Sequence, residues 1–196
     1  MENSTHNSVL EVSNYSRFSD LLKYNNEEVQ ETTGAIAQYA HDEQTVDNDP
    51  TGKNSVFDVA SYILFTLGTC STMKLHKLLY YCQAWSLVWD ETPLFTEQIE
   101  AWANGPVVRE LFNYNRGLFS MSFEDFSIGN YTKLTDCQRE TIDMVLKFYG
   151  NKSPQWLIDQ THSESPWIKA RKGLAPMERG RSVISLADMQ LYYSSL

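Results

Sequence analysis

Two residues in the last quarter of the chain have the types and spacing to move a proton. His162 and Glu164 stand two apart, just before Pro166-Trp167. Imidazole titrates near neutral pH and a nearby carboxylate tunes it, so the pair could serve as general acid and base in a hydrolase or transferase acting on a small molecule or nucleotide. The same His-x-Glu spacing begins the zinc-deaminase signature, but the Pro-Cys-x-x-Cys that completes that metal site does not follow. The plainer reading has His162 at the end of one helix and Glu164 near the start of the next, both favoured by the helix dipoles. A second constellation is cationic. Lys74, Lys77 and Tyr81 fall on one face of a helix, with Arg109 and Arg116 further along, and could grip an acidic protein surface. A solvated helix face accounts for the same residues. No Walker loop, Gly-x-Ser-x-Gly or His-Glu-x-x-His motif occurs.

The elements that must position these residues are marked by their caps. Ser55 and Asp58 fit a capping box opening an apolar run that Gly68 can close in a left-handed turn. Met73 to Trp89 places Leu75, Leu78, Leu79 and Cys82 at helical spacing and predicts the central helix. Leu94 to Trp102 alternates with period two, which predicts a short strand. Trp102, Gly105 and Pro106 then predict a strand-to-helix corner: glycine for the unusual backbone, proline at the first position of a helix from Val107 to about Asn115, and Trp102 lidding the core with its indole N–H on a backbone acceptor. Residues 117–133 read as a long connection. Thr135 and Gln138 form a second capping box before a helix that ends at Gly150, Ser153-Pro154 and Ser165-Pro166 start two short helices, and Ser185 starts the last, after a brief strand at Val183-Ile184. The expected fold is mainly α: about six helices in a compact bundle with a few short β-strands.

Charge divides the chain. Residues 1–54 hold ten acidic and three basic side chains, residues 55–196 fifteen and thirteen, so most of the net charge of −9 lies in the first quarter. We read residues 1–54 as an acidic, partly helical or disordered N-terminal extension, and residues 55–196 as the main domain. Such acidity repels phosphate backbones and makes nucleic acid an unexpected partner. The longest apolar run, Val59 to Gly68, is too short to span a bilayer, and the first residues, MENSTHNS, lack the features of a signal peptide, so a cytoplasmic location and no membrane partner are expected. Cys70, Cys82 and Cys137 are an odd number in unrelated contexts and are read as buried hydrophobes.

Three stretches together resemble one family. Lys74-Leu75-x-Lys77-Leu78-Leu79-Tyr80-Tyr81, then Phe95 with Ile99-Glu100-Ala101-Trp102-x-x-Gly105-Pro106-Val107, then Thr161-His162-x-Glu164-x-Pro166-Trp167 are similar to the Panacea domain of SocA-like, GepA-related antitoxins of bacterial and phage toxin–antitoxin systems. The match runs in order over roughly residues 56–193. It departs at His76, where glutamine is expected, at Cys82, at Asn104 and at Ser165. The resemblance implies an antitoxin that binds and silences a cognate protein toxin, in one case also delivering it to a bacterial AAA+ protease, with no enzymatic activity and no cofactor or metal. On that basis the expected toxin contacts are Leu21, Leu22, Glu27 and Glu28 in the extension, suited to a basic toxin surface, and Lys74, Lys77, Tyr81 and Arg109 in the domain. Trp102, Gly105, Pro106, His162, Glu164, Pro166 and Trp167 are expected to be structural.

Overall fold

Ser55 does what its spacing predicts. Its hydroxyl accepts from the Phe57 N–H at 3.0 Å, while the Asp58 carboxylate accepts from the Ser55 N–H at 3.0 Å, and helix α1 (Val56–Leu67) follows until Gly68 turns the chain at φ +72°. The computed structural model describes residues 54–196; the expected contacts Leu21, Leu22, Glu27 and Glu28 lie outside them. Beyond α1 come strand β1 (Thr69–Ser71), the central helix α2 (Thr72–Trp89), strands β2 (Ile99–Trp102) and β3 (Gly105–Val108), helix α3 (Arg109–Tyr114) and strand β4 (Ser120–Ser122). A 3-10 turn (Tyr131–Lys133) leads into α4 (Asp136–Tyr149), α5 (Pro154–Ser163), α6 (Ser165–Ala170) and α7 (Leu186–Tyr193). The described residues are therefore mainly α, seven α-helices with four short strands, and none of these helices is long and apolar enough to cross a membrane.

Helix α2 is the axis of the domain. α1, α4, α5, α7 and β3 all pack on it, so its buried residues occupy every face rather than one stripe. A surrounded helix has no solvated side, and this overturns the expectation that Lys77 and Tyr81 are presented to a partner: both are fully buried. Lys74 is half-buried, with its ammonium on the Gly150 carbonyl, which caps the end of α4.

The Trp102–Pro106 stretch is not a strand-to-helix corner. Strands β2 and β3 form an antiparallel hairpin with Trp102 opposite Gly105 and Ala101 opposite Pro106, closed by the two residues Ala103 and Asn104. Gly105 does take the left-handed backbone foreseen for it, φ +94°, but Pro106 lies within β3, and the helix begins only at Arg109. The predicted strand is also shorter than its alternation suggested. Leu94 and Phe95 donate their backbone N–H groups to the buried Gln83 Oε1 at 2.9 and 3.1 Å, so a side-chain amide from α2 takes the place of a strand partner there. On the outer edge of β2, Ala101 N–H donates to Ser182 O and Ile184 N–H to Ile99 O, both at 2.8 Å, which puts the brief extended stretch at Val183-Ile184 beside the hairpin.

The supposed long connection at 117–133 carries β4, paired antiparallel to β1 with Cys70 opposite Met121. Its far end is tied to α1 where Asn130 N–H donates to Asp58 Oδ1 at 2.8 Å. Of the cysteines, Cys70 and Cys82 are buried as expected, but Cys137 is exposed, its thiol donating to Asp90 Oδ1 at 3.2 Å.

Candidate functional site

The three motifs meet. Glu164 caps the start of α6 with its backbone while its carboxylate points into the interior, 2% exposed. There Tyr81 donates to Oε1 at 3.1 Å, and Tyr80 and Tyr193 donate to Oε2 at 3.1 and 2.7 Å. Tyr149 stacks on Tyr81 with centroids 3.9 Å apart and receives the Trp85 indole N–H on its hydroxyl at 3.4 Å, so α2, α4, α6 and α7 all reach one polar kernel. Burial is the larger influence on the carboxyl and pushes its pKa up to about 7, against the tyrosine hydrogen bonds that favour the ionised form.

Lys77 makes the second junction. Its ammonium donates to the Pro106 carbonyl at 3.0 Å and touches the Met73 sulfur at 3.8 Å, and burial alone lowers its pKa to about 7. An ammonium with so few partners in an apolar interior is disfavoured, which is the physical cause of that fall. The third junction joins the hairpin to α6: the Trp167 indole N–H donates to the Trp102 carbonyl at 3.1 Å. Trp102 itself turns its N–H to Glu100 Oε2 at 2.6 Å, a carboxylate and not the backbone acceptor expected. Glu100 in turn takes both arms of Arg109, Nε at 2.7 Å and Nη2 at 2.8 Å, so Arg109 is fastened to the hairpin rather than free for a partner.

His162 and Glu164 are held by different partners. His162 lies flat on the Trp167 ring, centroids 4.1 Å apart and 18° from parallel, while the Glu164 oxygens are occupied by three tyrosines. Burial, then the charge of Lys77, lowers the imidazole pKa, so the ring is neutral at physiological pH. Pro166 is buried in the first turn of α6, where proline needs no hydrogen-bond donor.

An open concavity of about 520 Å³, the volume of a small-molecule site, lies beside this framework. The start of α2, the tip of the hairpin, α3 with its following loop, and residues 179–181 enclose it. Sequence reasoning missed most of its residues. The Arg179-Gly180-Arg181 run was visible, but it sits in a stretch without periodicity, and nothing local says which surface it joins.

Residues 75–168 match the model of the family described as Antitoxin SocA-like, Panacea domain. No curated protein matches, and neither does any solved structure. The matched span takes in the three motifs except Lys74 and ends one residue after Trp167, while Tyr193, which completes the Glu164 kernel, lies beyond it.

Proposed function

We propose that the chain is an antitoxin that silences a cognate protein toxin by direct contact, acting through its surface and not through catalysis. The observation that carries this, beside the antitoxin family, is the loop after α3. Phe119 is 87% exposed and Leu118 55%, with Tyr114 and Arg116 also exposed. This loop is nevertheless held: Thr72 donates its N–H to Phe119 O at 3.0 Å and its hydroxyl to Leu118 O at 3.1 Å, and Leu118 N–H donates to Asn115 O at 3.0 Å. Large apolar and aromatic side chains fixed in the open, with an arginine among them, have the make-up of a binding hot spot whose ordering cost is already met.

The test is capture of the toxin encoded by the neighbouring gene, together with rescue of growth. Leu118→Asp with Phe119→Asp should leave the melting temperature within a few degrees of wild type and weaken toxin capture roughly 30-fold or more, the size of a lost hot spot. Undiminished rescue by that variant would remove the loop from the interface. Hydrolase or transferase chemistry at His162 and Glu164 makes the opposite forecast: His162→Ala and Glu164→Gln would abolish rescue while toxin binding persisted. The acidic residues Glu27 and Glu28, with Leu21 and Leu22, are part of the proposal as contacts to a basic toxin surface, where charge mainly speeds association. Handing the toxin on to an AAA+ protease is read from toxin half-life with and without the antitoxin.

A further inference from the structure

The cleft beside the hairpin has features that the framework does not use. Its walls are largely apolar, with Met73, Val107 and Leu118, and with Trp102 and Phe112 set edge to face at 4.7 Å. Several polar side chains join this lining, and among them His76 is the one with a buried nitrogen that no described residue engages. His76 is 4% exposed, and its Nδ1 accepts the Val108 N–H at 3.3 Å, which leaves the proton on Nε2. That nitrogen is buried and has no partner among the described residues. Burial first, then the charge of Lys77, pushes the imidazole pKa down to about 3, so the group is a neutral N–H donor at any physiological pH. An orphaned buried donor is destabilising, and an acceptor on a ligand seated in the cleft would relieve it.

The mouth of the cleft is cationic in an otherwise acidic chain. Arg116, Arg179 and Arg181 line it, all exposed, and no ion pair among the described residues engages them. The Arg179–Arg181 segment is built in place. The buried Arg171 guanidinium donates to Ala101 O at 3.1 Å and to the carbonyls of Ala175, Pro176 and Glu178 at 2.9, 3.1 and 2.8 Å, clamping the preceding loop to β2. Gly180 packs so closely that a Cβ would lie 2.9 Å from Arg171 Nη1 and 3.1 Å from Ala101 O. The backbone that carries these two arginines to the cavity is thereby held in place.

The geometry points to a nucleoside phosphate as the ligand of this cleft: the base against Trp102 and Phe112 with an acceptor on His76 Nε2, the phosphates between Arg116, Arg179 and Arg181. Guanidinium groups bind phosphate oxygens in pairs, aromatic faces and edges accept a flat base, and a volume of about 520 Å³ holds a mononucleotide with little to spare. An extended acidic peptide would need an open groove of greater length.

Titration calorimetry on the full chain tests it, with ATP, GTP, adenosine and sodium pyrophosphate as separate probes. At least one nucleotide should bind, with affinity falling as salt rises, while adenosine and pyrophosphate each bind tenfold or more weakly. Arg179→Ala with Arg181→Ala should weaken the nucleotide at least tenfold and leave the unliganded melting temperature unchanged; His76→Phe, which removes the donor, should also weaken it about tenfold. Absence of heat and of thermal stabilisation with every nucleotide at millimolar concentration would overturn the assignment. Pyrophosphate binding as tightly as the nucleotides would reduce the cleft to an anion site and refute the base pocket. Loss of toxin capture on Arg179→Glu with Arg181→Glu, in a protein that binds no nucleotide, would reassign the cleft to the toxin interface and would leave the antitoxin reading intact.

Discussion

Glu164→Ala is expected to destabilise the domain by about 3–5 kcal/mol, a fall in melting temperature on the order of 10 °C. The substitution strands three buried hydroxyls, those of Tyr80, Tyr81 and Tyr193, in a space that the carboxylate now fills. Each orphaned hydroxyl costs about 1–3 kcal/mol, and partial entry of water keeps the total below the sum. Glu164→Gln is the informative companion, because it keeps the volume and one acceptor oxygen but cannot ionise. In the unfolded chain the glutamate releases its proton near pH 4.5; in the folded chain burial delays that release to about pH 7. Between these values the folded state holds a proton that the unfolded state has lost, so the stability contributed by this group falls as pH rises through the window and is constant above it. At about 1.4 kcal/mol per pH unit the loss approaches about 3 kcal/mol. His76 has the opposite slope: its pKa, pushed down to about 3, costs stability as pH falls from 6.5. Denaturant melts of wild type and Glu164→Gln from pH 4 to 8 remove that background by subtraction. The difference should decline toward pH 7, and a flat difference would mean that the carboxyl is ionised throughout.

Residues that act within their own turn were legible in the sequence. The boxes at Ser55/Asp58 and Thr135/Gln138 form as their spacing requires, and Ser153 and Ser185 cap α5 and α7, whereas α3 and α6 start with no side-chain cap. Residues whose partners are remote were not. Glu164 near a helix start satisfies a dipole argument with no reference to Tyr80 or Tyr81, which precede it by 84 and 83 positions. Lys77 reads as solvated on a helical wheel, and only the enclosure of α2 by five other elements makes it buried. Pro106 suits a first helical turn as well as a strand, and the Asn104-Gly105 pair, itself a hairpin signal, reads as a corner when the proline after it is taken as a helix start. The cleft arginines come from segments more than sixty residues apart, a distance that no local pattern bridges.

The Lys77–Gly105 contact decides where the hairpin sits, and Gly105→Ala should show it. At φ +94° any side chain strains the backbone by about 1–2 kcal/mol, and here the new Cβ would also stand 2.5 Å from Lys77 Cε and 3.0 Å from Thr161 Oγ1. The lysine cannot retreat without giving up the Pro106 carbonyl, which is its one oxygen partner, so we expect a total cost of about 3–4 kcal/mol. Shortening the lysine separates the two contributions. In a Lys77→Val background the methyl finds room, and the cost of Gly105→Ala should shrink to the backbone strain alone, a coupling of more than about 1 kcal/mol in a double-mutant cycle. An undiminished cost in that background would show that the glycine is required only for its backbone angle. A large coupling means that α2 sets the height of the hairpin tip through one methylene, and the tip carries Trp102 and Asn104 into the wall of the cleft.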